Sequence, residues 1–526
     1  MSISLDQPHS SPGKPHVPAQ SAPVSTPRWL VFFYWSAVVL LLVAAVVMRL
    51  YHLDLPFDRD SYDEGVYWQS LRSMLAGKSL YSSIFYSQPP LFLLSTYPGF
   101  ALFGGSLWSA RFGIVLVSLL GFPGAYLLGK TLAGRLGAIL ALLLLLVDPL
   151  YLAQSQTLQA EASSVAFTLL AIAFVFLWWK QPDGWRGICW AALCGLTFSL
   201  SVLCKLLCVS TIVPIAMLML ARAWQIQRGE PGTSRQSWVP MLVGIGVALL
   251  TLAAGTAPFL GSFKDFWAGV ITFHTVASHA ASQPGIKNVQ MIAVALLSGT
   301  TLAALYGSLV ALLRRDWRVL PILAWLLVTI ASLYKLQPLF MHHLIALEPP
   351  LITLALLGLA EPKAYKTALT HFRTRGNKLA LGISIGAIAL ILLASGISFW
   401  QDISYYQGAD AYAAGPIIQQ NVHVANDLRQ AIMPNQWVIT DGQFIAGLAD
   451  RSTPPALVDT SSVRFQTGYV TVPQLEQEAM NPRVHAVLFY TGRFYNLPQA
   501  AGFHAWVATH FHLLHTYKKG QELWVR

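Results

Sequence analysis

The chain carries little charge. Only 11% of its 526 residues are Asp, Glu, Lys or Arg, whereas about 25% is usual for a soluble domain. Acidic residues are especially few, with 23 Asp and Glu against 34 Lys and Arg, and the mean hydropathy is +0.53. Apolar runs of about 20 residues recur along the chain, and a run of that length crosses a bilayer as a helix. The composition therefore predicts a polytopic α-helical membrane protein.

Cysteine is also scarce, and several common motifs are missing. The four cysteines lie in apolar stretches without metal-binding spacing, at Cys189, Cys194, Cys204 and Cys208. We expect them to pack inside helices rather than form disulfides or bind metal. There is no G-x-x-x-x-G-K-[ST], no H-E-x-x-H, and no G-x-S-x-G in a strand–turn–helix context. The net charge of +11 does not indicate nucleic acid, because membrane proteins collect Lys and Arg in cytoplasmic loops.

Hydropathy predicts about eleven membrane spans. The first is Trp29–Met48, and the polar residues 1–27 before it are typical of a disordered cytoplasmic tail. The apolar stretch 91–103 is too short to span and is predicted to lie at the membrane interface. The other spans are predicted near residues 109–129, 135–152, 158–179, 187–204, 206–222, 238–260, 289–313, 319–334, 340–360 and 379–400. The transmembrane domain thus covers residues 28–400.

The basic residues indicate how these spans are oriented. If the N-terminus is cytoplasmic and residues 91–103 do not span, the basic clusters all fall in cytoplasmic loops. The loop over residues 51–107 then faces the extracytoplasmic side, and so does everything after the last span. We therefore predict a multi-pass protein of the cell membrane (the plasma or inner membrane).

Residues 401–526 have ordinary polarity and are predicted to form a small extracytoplasmic α/β domain. Apolar spacing and turn residues predict helices near 422–432 and 499–511, and strands near 436–440, 484–490, 513–517 and 522–525. The sequence leaves open whether this domain binds a substrate or only covers a site.

Residues 58–94 form a polar stretch between two apolar ones. They contain the acidic pair Asp63-Glu64, which large aromatic side chains surround, namely Tyr62, Tyr67 and Trp68. The chain returns to apolar sequence through Gln88-Pro89-Pro90, where the prolines stiffen the backbone. A carboxylate held in such a pocket is a candidate general base for a hydroxyl group. The alternative is a pair of solvated loop acids.

The pattern Y-D-E-G-V-Y, then L-A-G-x-x-L-Y and Q-P-P-L, resembles the first extracytoplasmic loop of the GT-C glycosyltransferases. The branch that it resembles most includes the protein O-mannosyltransferases and the lipid A aminoarabinose transferases. The resemblance extends in order and topology over residues 30–400. It implies an inverting enzyme with a polyprenyl-phosphate-linked sugar donor, with Asp63 as catalytic base and Glu64 as a supporting or acceptor-binding acid. Many members have Lys where this chain has Gln88. This difference weakens the expectation that the position contacts the donor phosphate through a positive charge.

Two lysines are predicted at the outer membrane face, against the trend of the other basic residues. Lys205 and Lys335 lie in apolar surroundings, at the depth where a lipid-linked donor carries its phosphate. Either lysine is a candidate for neutralising the leaving phosphate. The alternative is that both side chains snorkel to lipid headgroups.

Further candidates for the donor and substrate sites come from three positions. Glu161 opens an apolar helix, where an ionisable group is a functional candidate, although the helix macrodipole alone would favour an acid there; the resemblance favours function. His342-His343 match a family segment that precedes Pro-Pro, and one of them is expected to line the donor site. Arg111 is expected to pair with the acidic stretch, with phosphate binding as the alternative. With Tyr62 and Tyr67, the residues Glu161 and Arg111 are assigned to the substrate pocket.

The sequence therefore predicts a GT-C membrane glycosyltransferase that moves a sugar from a polyprenyl-phosphate donor to an acceptor hydroxyl on a glycan, lipid or protein. No cofactor is required by this pattern. A divalent metal remains an option, although adjacent histidines point to different faces of a helix and disfavour a two-His site. A membrane transporter of a lipid-linked or small polar substrate is the rival, but the paired repeats typical of transporters are not evident. A non-catalytic lipid-phosphate-binding relative is a third alternative.

Overall fold

The computed structural model of the chain describes residues 27–59, 62–230, 238–280, 285–359 and 375–526. The predicted tail over residues 1–27 lies almost wholly outside this range. The first helix, α1, begins directly after it and spans Arg28–Leu50.

Helices make up nearly all of the described chain before residue 414. The next eight are α2 (Asp63–Leu75), α3 (Leu91–Leu102), α4 (Leu107–Ser118), α5 (Gly121–Leu146), α6 (Pro149–Ser155), α7 (Glu161–Lys180), α8 (Gly184–Cys204) and α9 (Ile212–Gln227). They are followed by α10 (Trp238–Thr256), α11 (Phe263–Trp267), α12 (Phe273–Ala280), α13 (Gly285–Leu296), α14 (Gly299–Leu313), α15 (Val319–Lys335), α16 (Glu348–Leu357) and α17 (Arg375–Ala413). Short 3₁₀ segments, Leu206–Thr211 and Met341–Leu347, precede α9 and α16.

The run Leu107–Leu146 is a helical hairpin rather than one long helix. Ala133 and Gly134 leave helical geometry, and Gly134 has φ of +71°, a value that suits glycine. A Cβ atom on Gly129 would overlap the carbonyl oxygen of Gly137, so the residues on either side of the break lie against each other. The chain therefore reverses at Gly134. This accounts for two predicted spans, 109–129 and 135–152, inside one apolar run.

Seven apolar runs in the described part of the chain are long enough to cross a membrane. The pair α13 and α14, which is bent by 77°, makes an eighth if it counts as one span. Three shorter apolar helical segments are Leu91–Leu102, Val319–Lys335 and Met341–Leu357. These findings establish a multi-pass membrane protein, and the number of about eleven spans stays a prediction. The shortness of α3 agrees with its predicted place at the interface.

The helix α17 is 39 residues long and continues well past residue 400, where the sequence predicted the last span to end. It leads into a C-terminal domain, residues 416–526. The helices of this domain are α18 (Pro416–Ala431), α19 (Gln443–Leu448), α20 (Ser462–Gln466), α21 (Val472–Ala479), α22 (Arg493–Asn496) and α23 (Phe503–His510).

Four strands form the sheet of the C-terminal domain, in the order β1-β2-β4-β3. They are β1 (Trp437–Thr440), β2 (Val484–Phe489), β3 (His512–Lys518) and β4 (Gln521–Val525). The pair β1–β2 is parallel, whereas β2–β4 and β3–β4 are antiparallel. Alternate residues of β2 enter different cores, with Val487 on one face and Leu488 on the other. The predicted strands and the helix near 422–432 are confirmed to within a few residues, and the small α/β domain is present.

The C-terminal domain packs closely on α2. A Cβ atom on Gly65 would overlap the backbone nitrogen of Phe444, so only glycine allows this approach. Gln69, also on α2, donates to the carbonyl oxygen of Arg451 (3.1 Å) and accepts from the backbone N–H of Thr453 (3.2 Å). The residues of α2 that follow Asp63 thus form the surface against which the C-terminal domain packs.

Candidate active site

A cavity of about 850 Å³ lies between the membrane helices and the C-terminal domain. The start of α2 and the segment before α3 form one side, and α12 and the end of α15 form another. The 3₁₀ segment Met341–Leu347 lies at the bottom, and the C-terminal domain closes the top. Eight of the residues singled out from the sequence line this cavity, namely Tyr62, Asp63, Tyr67, Gln88, Lys205, Lys335, His342 and His343.

Glu64 and Arg111 do not line the cavity; they form a closed ion pair beneath it. Both side chains are fully buried. Arg111 Nε donates to Glu64 Oε1 (2.9 Å) and Nη2 donates to Oε2 (2.7 Å), which is the bidentate geometry of a strong pair. The backbone N–H groups of Leu158 (2.8 Å) and Arg59 (2.7 Å) also donate to this carboxylate. The predicted pairing of Arg111 with the acidic stretch is present, but neither residue is placed to contact a substrate.

The surroundings of Glu64 keep it ionised. Burial alone would raise the pKa of its carboxyl, but the Arg111 guanidinium and the two backbone donors outweigh burial and lower that pKa. Arg111 also donates to the backbone carbonyl oxygens of Leu53, Leu55 and Phe57. This pair therefore joins α2, α4 and the segment before α2. The pair is placed to hold the start of α2, and neither residue lies at the cavity wall, where the sequence assigned Glu64 as a supporting or acceptor-binding acid and Arg111 as a pocket residue.

Asp63 is the neighbour that faces the cavity. It is the first residue of α2, whose free backbone N–H groups favour a negative charge at that end. The side chain is half-buried, and Gln159 Nε2 lies 3.5 Å from its Oδ2. The segment expected to be a loop is thus helical from Asp63 onward. Because adjacent residues of a helix point to different sides, Asp63 faces the cavity and Glu64 faces Arg111.

A second carboxylate–cation pair lies at the bottom of the cavity. Glu161, 1% exposed, forms an ion pair with Lys205 through its Oε1 atom. The Nε2 atoms of His342 (3.4 Å) and His343 (3.9 Å) face the same oxygen. The other oxygen, Oε2, is buried and accepts no hydrogen bond from the described residues. Lys205 and both histidines line the cavity, so Glu161 gathers three nitrogen-bearing side chains at its wall.

The histidines converge instead of diverging. Their ring centroids are 4.3 Å apart, with an interplanar angle of 81°, and Glu161 lies where both rings point. The expectation that adjacent histidines face apart is therefore wrong here, because the two imidazoles reach the same Glu161 oxygen from either side.

The spacing of this cluster suits a metal ion, but its chemistry does not. Ligand atoms of Glu161, His342 and His343 lie within 4.8 Å of one another. Lys205 already brings a positive charge to the oxygen that would bind the ion. The backbone N–H of Phe340 donates to Nδ1 of His343 (3.2 Å), so a neutral His343 carries its proton on Nε2 and cannot ligate through it. The cluster presents hydrogen-bond donors to the cavity, which fits an anion better than a cation.

The remaining predicted residues shape the cavity. Lys335 is exposed at its rim. Gln88 accepts through its backbone carbonyl from the hydroxyl of Tyr81 (2.8 Å), which fixes the turn before α3. Tyr67 packs edge-on against Phe92, with ring centroids 4.9 Å apart.

Sequence reasoning missed several residues of the cavity wall. His274 on α12 lies with Nε2 2.6 Å from the carbonyl oxygen of Ser87, beside Gln88. Asp459 and Arg493 reach the cavity from the C-terminal domain. His274 lies between two predicted spans, in a segment where no motif distinguishes it from other loop residues. No local pattern marks Asp459 or Arg493, since only the packing of the domain brings them to the site.

The comparisons with known proteins agree with this architecture. The model of the dolichyl-phosphate-mannose-protein mannosyltransferase family matches residues 87–253. The fold is similar to that of ArnT from Cupriavidus metallidurans in the apo state, with a TM-score of 0.62 and 14% identity over 94% of this chain and 97% of that one. The same protein bound to undecaprenyl phosphate gives a TM-score of 0.57 at 14% identity, over 95% and 98% of the two chains.

A third similar structure is the apo oligosaccharyltransferase of Archaeoglobus fulgidus, with a TM-score of 0.50 and 13% identity over 88% of this chain and 70% of that one. No curated protein matches the sequence. The chain therefore shares the fold of these solved membrane proteins. The match to the mannosyltransferase family model lies within the membrane helices, from α3 to α9 and into α10. The transporter alternative is not favoured.

Proposed function

We propose that this protein transfers a sugar from a polyprenyl-phosphate-linked donor to an acceptor hydroxyl, with inversion at the anomeric carbon. The observation that carries the proposal is the polarity of the cavity. A carboxylate, Asp63, faces it from the start of α2, and the cluster of Lys205, His342 and His343 around Glu161 forms its bottom. Those are the two groups that such a transfer needs.

The cluster around Glu161 is proposed to hold the donor phosphate. Lys205, His342 and His343 present donors to the cavity, and a phosphate ester leaving group carries the negative charge that they would stabilise. Lys335 stands at the rim, and Gln88 offers an uncharged amide where many relatives have Lys. The similar ArnT protein is described as bound to undecaprenyl phosphate, which supports a lipid phosphate as the group recognised here.

Asp63 is proposed as the general base. The acceptor hydroxyl gives its proton to the Asp63 carboxylate while its oxygen bonds to the anomeric carbon. The bond from that carbon to the phosphate oxygen breaks, and the phosphate keeps the electron pair. Lys205 then stabilises the lipid phosphate as it leaves. Because nucleophile and leaving group lie on opposite sides of the anomeric carbon, the configuration inverts.

We propose that Lys205, not a divalent metal, is the cation that assists this step. The ammonium group already contacts the Glu161 oxygen that a metal would bind, and the proton on His343 Nε2 points the same way. An ammonium and two imidazole donors can stabilise a phosphate oxygen without a metal.

The proposed reaction takes place on the extracytoplasmic side of the cell membrane. The positive-inside pattern supports that orientation, with a cytoplasmic N-terminus and an extracytoplasmic C-terminal domain. The cavity opens at the end of the helices where this domain sits, which suits a lipid-linked donor entering from the outer leaflet.

The proposal can be tested with the purified protein in lipid nanodiscs. Wild-type protein and the Asp63→Asn variant are incubated with polyprenyl-phosphate-linked mannose or aminoarabinose and membrane extract, and released polyprenyl phosphate is measured. We expect release by the wild type that exceeds release by the variant by about 100-fold or more. We also expect undecaprenyl phosphate to raise the melting temperature of both proteins. Failure of wild-type protein to consume either donor, together with no effect of undecaprenyl phosphate, would contradict the proposal.

A further inference from the structure

The C-terminal domain supplies one wall of the cavity, and the proposed transfer leaves that wall without a role. It consists of the segment Asp459–Val463 and of Arg493, and it stands directly beside Tyr62 and Asp63. Asp459 is buried, while the hydroxyl-bearing Ser461 and Ser462 are partly open to the cavity.

Arg493 is held against the residue that precedes the base. Its guanidinium carbon lies 3.8 Å from the ring centroid of Tyr62. Nη1 donates to the hydroxyl of Thr491 (3.0 Å) and to the carbonyl oxygen of Asp441 (3.3 Å). The turn that carries Arg493 is itself fixed, because the Asp441 carboxylate accepts the backbone N–H groups of three residues, Tyr490, Thr491 and Phe494. Arg493 is therefore a rigidly placed cation at the cavity wall.

The segment around Asp459 is fixed from both ends. Thr460 donates its backbone N–H to the hydroxyl of Tyr62 (2.7 Å), so Tyr62 contacts this segment as well as Arg493. Asp459 Oδ1 accepts the backbone N–H of Ser461 (2.8 Å). Arg464 lies 3.8 Å from the ring centroid of Phe85 and donates to the carbonyl oxygen of Ala456 (3.1 Å). These hydrogen bonds thus hold the segment Asp459–Val463 in a fixed conformation beside Asp63.

The reaction geometry gives this wall a function. On the proposed function the donor phosphate binds beside Lys205 at the bottom of the cavity, and the acceptor hydroxyl must reach Asp63 from the side away from that phosphate. The groups on that side belong to the C-terminal domain. We infer that Asp459, Ser461, Ser462 and Arg493 form the acceptor subsite, an inference that rests on the proposed function.

The chemistry of the wall selects a carbohydrate acceptor. A carboxylate, two hydroxyls and a guanidinium offer both acceptors and donors at close spacing, which suits the neighbouring hydroxyls of a sugar ring. Arg493 and Arg464 each cover one face of an aromatic ring, that of Tyr62 and that of Phe85, so charged groups lie over part of the apolar surface of the wall. An acyl chain or an apolar peptide side chain would find little to bind there. The acceptor is therefore a hydroxyl of a glycan or of a sugar-bearing headgroup.

The test compares Arg493→Met with Arg483→Met in the full-length protein. Arg483 belongs to the same domain and also covers an aromatic ring, that of Trp437 (5.4 Å), but it does not line the cavity. Each variant receives radiolabelled polyprenyl-phosphate-linked mannose or aminoarabinose, whichever the wild type uses, with membrane extract as the source of acceptor. Transfer to extract, hydrolysis of donor to free sugar, and stabilisation by undecaprenyl phosphate are measured separately.

We expect Arg493→Met to lose about 10- to 100-fold in kcat/KM for the extract acceptor, mainly through KM, because one charged hydrogen-bonding group is lost. Donor hydrolysis and stabilisation by undecaprenyl phosphate should stay at the wild-type level, and Arg483→Met should behave as the wild type in all three. Asp459→Asn, which conserves size, should show the same selective loss as Arg493→Met.

Three results would overturn the inference. Transfer by both Arg493→Met and Asp459→Asn at the rate of Arg483→Met would show that these residues do not bind the acceptor. Loss of undecaprenyl phosphate binding together with transfer in both variants would assign the wall to the donor. Label that protease treatment releases from the acceptor fraction would make the acceptor a protein, whereas label in protease-resistant carbohydrate supports a glycan. If the wild type itself neither binds undecaprenyl phosphate nor consumes donor, the proposed function fails first.

Discussion

Two buried carboxylate–cation pairs lie within the same protein and differ in how completely they are satisfied. Glu64 receives four hydrogen bonds, two from Arg111 and two from backbone N–H groups, and it is sealed from the cavity. Glu161 shares one oxygen with Lys205 and two histidines and leaves the other without a hydrogen bond from the described chain. The Glu64–Arg111 pair makes all its hydrogen bonds within the protein and does not reach the cavity. In the Glu161–Lys205 pair, Lys205 lines the cavity and can contact a ligand.

This difference explains why sequence position alone misassigns acids. A saturated pair joins helices and has no capacity left for chemistry, whereas an unsaturated cluster at a cavity wall can exchange partners when a ligand binds. Asp63 stands next to the saturated pair and owes its fixed position to it. The structural acid Glu64 and the proposed base Asp63 are therefore neighbours in the sequence, and their hydrogen bonds distinguish them.

The largest effect is expected from breaking the closed pair. Arg111→Met leaves Glu64 charged and buried, which should cost about 3–5 kcal/mol in the free energy of unfolding. The folded fraction in detergent, measured by size-exclusion chromatography and thermal melting, should fall sharply. A melting temperature equal to that of the wild type would show that the pair does not hold α2.

Loss of the Lys205 charge should lower kcat more than it lowers the stability of the protein. Lys205→Met removes the cation beside the leaving phosphate, and kcat should drop about 100- to 1,000-fold. The variant should still elute as a single folded species, because its partner Glu161 can take up a proton. Undiminished kcat with a folded protein would exclude Lys205 from the reaction.

Double variants sharpen the comparison further. Arg111→Met with Glu64→Gln removes both charges of the closed pair, and stability should return to within about 2 kcal/mol of the wild type. Activity should return with it. Lys205→Met with Glu161→Gln should stay folded, as Lys205→Met does, and should not regain turnover. Equal rescue of activity in both double variants would contradict the distinction between the pairs.

Lys335→Met should have a modest effect. The side chain is exposed at the rim, where solvent screens its charge, so kcat/KM for the donor should fall by about fivefold at most. Kinetics at low and at raised ionic strength measure this, and the loss should shrink as salt is added. A loss as large as that of Lys205→Met would make Lys335 the main phosphate ligand.

Chelation should have the smallest effect. With Lys205 as the resident cation, treatment with EDTA should leave kcat within about twofold of the untreated value. Loss of activity on chelation, with recovery on adding Zn²⁺ or Mn²⁺, would show that the Glu161 cluster binds a metal after all.

Much of the fold could be predicted from the sequence because it follows local rules. The strands Val484–Phe489 and Gln521–Val525 follow from short apolar runs between turn residues. The multi-pass membrane class follows from apolar length. The pairing of Arg111 with the acidic stretch was also expected, and the structure shows it with Glu64. These features depend on composition and spacing.

The division of labour at the site depends on long-range contacts. Whether Asp63 or Glu64 faces the cavity is decided by Arg111 and by the N–H of Leu158, both far along the chain. The pairing of Glu161 with Lys205 depends on how α7 packs against α8. The wall around Arg493 forms only because the C-terminal domain packs on the membrane helices, so no local sequence pattern predicts it.

The central claim is that Asp63 is the base of a glycosyl transfer, and comparative mass spectrometry of surface glycans and glycoconjugates tests it most directly. Cells that produce the wild type are compared with cells that produce Asp63→Asn at equal membrane abundance. The account predicts one sugar modification that is present with the wild type and absent with Asp63→Asn. The same modification at the same level in both cells would contradict it.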